Sequence, residues 1–181
     1  MTYSPVDLAH VAPHLLGAMP TTSAMLTRDE GFARVPVRAM FTLVHDVEAW
    51  PTHLRHYRSV RMIQRDGNGG GVVEMTAVRP FGPVGWPTFW RSLMEVDHER
   101  ATVRFRHIGG LTTGMEVEWM CRPQIPGTPA GTDISLLHLW NGWRVPVIGP
   151  AVARDIIGPV FVHGIASRTI AGLIAAAEAR A

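Results

Sequence analysis

Between Tyr57 and Trp140 the chain alternates apolar and polar residues over six successive runs: YRSVRMIQRD, GVVEMTAVRP, WPTFWRSLMEVD, ATVRFRHIGG, TGMEVEWMCRP and TDISLLHLW. Each is bounded by Gly, Pro or Asp signals at hairpin spacing. A two-residue period puts alternate side chains on opposite faces of a strand. Strands joined this closely must be antiparallel, because a parallel neighbour needs a crossover of a dozen residues or more. The first reversal is the clearest: in DGNGGG, Gly67 to Gly71 supply the positive backbone angles of a tight turn. The alternation also sorts faces. Val103, Phe105 and His107 oppose Thr102, Arg104 and Arg106, and Met115, Val117, Trp119 and Cys121 oppose Glu116, Glu118 and Arg122. One face of the sheet is therefore apolar and aromatic.

The flanks change period. Val6, Leu8, Val11, Leu15 and Leu16 give a short N-terminal helix interrupted at Pro13, an appendage over residues 1–20 ahead of one domain over 21–181. Met25 to Val37 has a poor pattern, and a first strand is expected there only from the family resemblance given below. Met40, Phe41, Val44 and Val47 form a helical stripe that Trp50-Pro51 is expected to end, since proline disfavours helix in the residue before it. A further short turn runs through Leu54. From about Gly149, Val152, Ile156, Val160, Ile165, Leu173 and Ile174 share a stripe, which predicts a long C-terminal helix kinked at Gly158-Pro159. A long helix following a run of antiparallel strands must cover the apolar sheet face, an α+β arrangement. A curling sheet under such a helix leaves a cleft suited to apolar ligands.

Composition narrows the function classes. At 181 residues and 46% apolar content the chain supports one full core. Its 17 basic residues, all arginine, are interspersed with 15 acidic ones, with no block that would track phosphates, so nucleic acid is not expected as a partner. One cysteine, Cys121, precludes an internal disulfide and a cysteine-clustered zinc site, and fits a reducing cytoplasm. The N-terminus lacks the pattern of a signal peptide. Arg154, Asp155, His163 and Arg168 interrupt the C-terminal apolar stretch too often for a membrane span. No nucleophile elbow, phosphate loop or dinucleotide fingerprint is present, so no cofactor is expected. His53 and His56, with Asp46 and Glu48 nearby, lack a third fixed ligand, and no metal is expected.

Several of these pieces stand in a familiar order. Val35-Pro36 ahead of Phe41, Asp46-Val47-Glu48-Ala49-Trp50-Pro51, Val96-Asp97 with Val103-Arg104-Phe105-Arg106-His107, Gly114-Met115 with Glu118-Trp119, and His138 closing the last strand together resemble the START-like helix-grip proteins. The resemblance runs from about Val35 to Glu178, and within that superfamily it is to the branch holding polyketide aromatase/cyclases and coenzyme-Q-binding proteins. It implies a curved antiparallel sheet wrapped around the C-terminal helix, with a central cavity. The partner it implies is a hydrophobic small molecule, a polyketide, isoprenoid or lipid, presented free or by an acyl carrier protein or synthase. Two activities stay open: aldol cyclisation and dehydration of a poly-β-ketone, or binding and transfer without catalysis. The family's strand with paired arginines corresponds to Trp86 through Met94, where Leu93 and Met94 replace the pair and Arg91 alone remains.

The candidate catalytic residues are then Arg91, His107 and His138. A guanidinium forks two donors toward oxygen and imidazole titrates near neutrality. Alternation puts Arg91 on the face opposite Trp90, and a solvent-exposed strand arginine is its competing reading. Buried core histidines are the competing reading for the other two. Trp86, Trp90, Trp119, Trp140, Met75 and Met115 are the expected apolar lining, with Glu74 joining them if its strand turns it inward.

Overall fold

The computed structural model describes residues 16–81, 84–124, 131–143 and 162–181, with Ala151, Arg154, Asp155 and Ile157. Seven strands form one antiparallel sheet: β1 Met25–Ala33, β2 Tyr57–Arg65, β3 Gly71–Phe81, β4 Val84–Asp97, β5 Thr102–Gly110, β6 Glu116–Pro123 and β7 Thr132–Trp140. Their order is β1-β7-β6-β5-β4-β3-β2, so β2 to β7 is a meander and β1 returns to pair with the last strand. The expected six runs are all strands. The poorly patterned stretch supplies β1, whose inner positions include Thr27, Asp29 and Gly31 and whose outer positions expose Leu26 and Phe32. Its inner face mixes buried Met25 and Ala33 with Thr27, Asp29 and Gly31, and its outer face mixes Arg28 and Glu30 with Leu26 and Phe32, which is why periodicity does not find it.

Between β1 and β2 lie α1 (Val37–His45), a 3₁₀ turn (Val47–Ala49) and α2 (Trp50–His53). Helix α1 buries Met40, Phe41, Leu43 and Val44. It stops at His45, before Trp50-Pro51. Pro51 does not terminate a helix, as expected from the sequence, but sits in the first turn of α2, where its missing N–H has no partner to lose. The last helix, α3, spans His163–Glu178 and buries Ile165, Thr169, Leu173 and Ala177 at four-residue spacing, with Ala166 and Ile170 beside them. The expected kink at Gly158-Pro159 and the N-terminal helix up to Leu15 lie outside the described residues. Helix α3 packs closely on β1: a Cβ on Gly31 would come within 2.6 Å of Ile170.

The two faces of the sheet differ in chemistry. Val73, Met75, Trp90, Phe105, Val117 and Trp119 turn inward to the core under the helices. The outer face carries ion-pair ladders across the strands, Arg61–Glu74–Arg91 on β2 to β4 and Arg104–Glu116–Arg106 on β5 and β6. Residues 16–17 cross the second ladder as a strap. Leu16 N donates to Glu95 at 2.8 Å, Arg106 donates to Leu16 O at 2.8 Å, and Arg104 donates to Gly17 O.

Candidate functional site

Under α3 the sheet lines a partly open cavity of about 70 Å³. Its walls are aromatic: Trp50 and Trp119 meet edge to face at 5.8 Å, Trp50 and Tyr57 at 5.3 Å, and Tyr57 and Trp90 at 6.0 Å. Offset and T-shaped contacts of this kind hold large rings rigidly. Met75, Phe105, Met115 and Leu136 fill the spaces between, and Val162, Ile165 and Ala166 line it from the helix side.

Among the described residues, five polar side chains break this apolar lining: Tyr57, His107, Thr112, His138 and Thr169. His107 is 8% exposed. Its Nδ1 lies 2.7 Å from the Thr112 hydroxyl and its ring stacks on Trp90, centroids 6.1 Å apart at 25°. A register shift helps to place it: Arg91 pairs with Gly109 but Ser92 pairs with His107, leaving Ile108 as the extra residue of a bulge. Bulges re-aim neighbouring side chains, and this one lies directly beside the imidazole. His138 is half-buried, with Nδ1 3.4 Å from Thr27 Oγ1 on β1. Thr169 donates to Ile165 O at 2.9 Å, and its hydroxyl lies 3.0 Å from His56 Nε2.

Of the ten candidates, the structure brings His107, His138, Trp90, Trp119, Met75 and Met115 to one cavity. Arg91 and Glu74 must be corrected. They are a directly opposed pair on β4 and β3, and both point to the outer face, where Arg91 Nε donates to Glu74 at 3.0 Å and Arg61 donates to the other carboxylate oxygen at 3.0 Å. The reason is parity: Trp90 and Met75 face inward, so their sequence neighbours cannot. Trp140 is also corrected. It is buried but stands off the lining, its Nε1 donating to Thr113 O at 3.0 Å. The Trp86 side chain lies outside the described residues.

Sequence reasoning missed Trp50, Tyr57, Thr112 and Thr169. Trp50 was visible as part of the Asp46–Pro51 run, but as a helix end and not as a wall. Thr112 and Thr169 carry no sequence signal, since a lone threonine is common everywhere. His53 and His56 turn to separate partners, Arg180 and Thr169. Among the described residues no three His, Cys, Asp or Glu side chains are grouped to hold a metal, and no helix is long and apolar enough to cross a membrane.

Comparison with known proteins gives the same architecture. Residues 34–151 match the family model described as polyketide cyclase / dehydrase and lipid transport. A Thermus thermophilus protein superposes with a TM-score of 0.70 at 20% identity, covering 86% of this chain and 99% of its own. The Zhui aromatase/cyclase from Streptomyces sp. R1128 gives 0.70 at 18% identity, over 86% of this chain and 94% of its own. A START superfamily protein from Mycobacterium smegmatis gives 0.60 at 16% identity, over 86% and 95%. At these identities the likeness is one of fold. No curated protein matches the chain in sequence.

Proposed function

The chain belongs to the polyketide cyclase / dehydrase and lipid transport family, and on that premise we propose that it takes a hydrophobic polyketide-type compound into the cavity and promotes its aldol cyclisation and dehydration. The observation that carries this reading is the pair of imidazoles, His107 and His138, bordering one tryptophan-walled cavity. In such a step one imidazole removes a proton from a methylene flanked by two carbonyls. The resulting enolate carbon attacks a carbonyl carbon within the same chain, and the new alkoxide takes a proton from an imidazolium. Dehydration repeats the exchange: an adjacent C–H proton goes to a base while the hydroxyl leaves as water with a proton from an acid. Tyr57 is the further donor for the carbonyl oxygen. The tryptophan walls, meanwhile, hold the extended chain folded for attack.

A second reading, binding and transfer of an apolar lipid, isoprenoid or quinone without chemistry, is favoured by one observation. Among the described residues no carboxylate or guanidinium borders the cavity. In both readings the cavity is narrow beside the several hundred Å³ usual for small-molecule sites, so a multi-ring ligand must widen it or extend out of it. A carrier protein or synthase that presents the ligand, and a cytoplasmic setting, belong to this proposal.

The deciding experiment mixes the purified protein with a reactive poly-β-ketone and follows the products by chromatography, using wild type, His107→Ala, His138→Ala and Arg91→Ala. Cyclase action predicts a shifted product pattern that both histidine variants lose and Arg91→Ala keeps. An unchanged pattern with wild type, together with saturable quenching of tryptophan fluorescence by an apolar ligand in the double histidine variant, would establish the carrier instead.

A further inference from the structure

The turn joining β5 to β6 is more tightly built than a connection between two strands requires. Gly110 and Gly114 take φ of +94° and +86°, a region that side chains resist. Gly114 N donates to His107 O at 2.8 Å, His107 N to Met115 O at 2.9 Å, and Met115 N to Thr112 O at 3.0 Å. Two indoles then grip the turn: Trp140 Nε1 donates to Thr113 O at 3.0 Å and Trp143 Nε1 to Leu111 O at 2.9 Å. The two rings meet edge to face at 5.8 Å. The side chain this framework delivers to the cavity is Thr112, whose hydroxyl stands 2.7 Å from His107 Nδ1.

We propose that Thr112 is a positioning residue for His107, fixing the ring through Nδ1 with a group that accommodates either imidazole tautomer. The proposal rests on the reading of His107 as a proton-moving group of the cavity. Its chemical reason is the two-way character of a hydroxyl. A carboxylate in this place only accepts, so it would lock the Nδ1–H tautomer and favour the imidazolium. Threonine accepts from Nδ1–H or donates to a bare Nδ1 by rotating one proton. His107 can then present Nε2 as base or as acid with no heavy atom moving, as a group must when it takes a proton in condensation and returns one in dehydration. Trp90 holds the ring plane from its face. The titratable side chains sharing the lining are Tyr57 and His138, among the described residues.

The test is an NMR titration of the His107 ring nitrogens in wild type, Thr112→Ser, Thr112→Val and Thr112→Asp. Thr112→Ser should keep the wild-type tautomer mixture and midpoint. Thr112→Val, equal in shape, should change the mixture, and Thr112→Asp should raise the midpoint by about one to three pH units. A Thr112→Val ring with wild-type tautomers and midpoint overturns the proposal, as does a Thr112→Asp midpoint that does not rise. If ring titration follows position 112 while wild type forms no cyclised product, the positioning role stands and the cyclase reading falls alone.

Discussion

Arg91 and Glu74 oppose each other across β4 and β3 on the outer face of the sheet, and Glu74 is gripped from both sides, by Arg91 and by Arg61. Hydrogen bonds from Arg91 first, and then from Arg61, hold the Glu74 carboxyl below its ordinary range. A carboxylate whose folded pKa is depressed contributes stability above its unfolded value, about 4.3, and that contribution is lost as the pH falls through the folded value. Arg61 is largely solvent-exposed and Arg91 partly so, and the cluster contributes only about 1 kcal/mol or less. Arg91→Ala should therefore lower the urea midpoint slightly at pH 7, with the deficit shrinking below pH 4, and leave ligand affinity unchanged. An affinity loss at wild-type stability would return Arg91 to the ligand site.

Asp29 shows the opposite sign. It faces inward from β1 and is 4% exposed. His163 Nδ1 comes within 2.6 Å of Oδ1, yet neither carboxylate oxygen has a well-formed hydrogen bond. Burial raises its pKa above the ordinary value, outweighing the attraction of His163. Folding thus disfavours the Asp29 anion relative to the unfolded chain. The stability tied to that preference is complete below the unfolded pKa, about 3.9, and is lost as the pH rises through the raised folded value. Asp29→Asn should lack this loss, so its urea midpoint should gain on wild type between pH 4 and neutrality. A wild type that gains on the variant over that range would mean the carboxylate anchors α3 as an anion.

These two acids also mark how far the sequence can be read. Parity alone sent Arg91 outward, because Trp90 beside it had to face the core; the family's arginine-bearing strand argued for the cavity, and parity won. The same rule placed Phe105 and His107 correctly on one face. It gave no warning of the bulge at Ile108, since an isoleucine fits the alternation whether or not it is paired. Strand β1 follows from the resemblance but not from periodicity: between buried Met25 and Ala33 its inner face carries Thr27, Asp29 and Gly31, which meet His138, His163 and Ile170. Helix, hairpins and apolar face are local patterns, and they were legible. The polar contacts that aim the imidazoles join residues distant in sequence, or single threonines in turns, and no periodicity encodes them.

The strap over the outer face gives a last expectation. Leu16 is 4% exposed, and the backbone of Leu16 and Gly17 bonds to Glu95, Arg104 and Arg106. Arg104 itself is only 8% exposed, paired with Glu116 under this cover. Among the described residues, deleting residues 1–20 would expose that buried pair to water and remove the buried Leu16 side chain, which by itself is a loss of about 2 kcal/mol on the scale of apolar burial. Rehydration of the charges limits the damage, because a solvated ion pair is no longer an unsatisfied buried one. The cavity lies across the sheet from the strap, so the truncated protein should melt earlier in urea but quench with an apolar ligand as wild type does. Loss of ligand binding in a truncated protein that keeps its fold would tie residues 1–20 to the cavity, and unchanged stability would show that the strap only lies on the sheet.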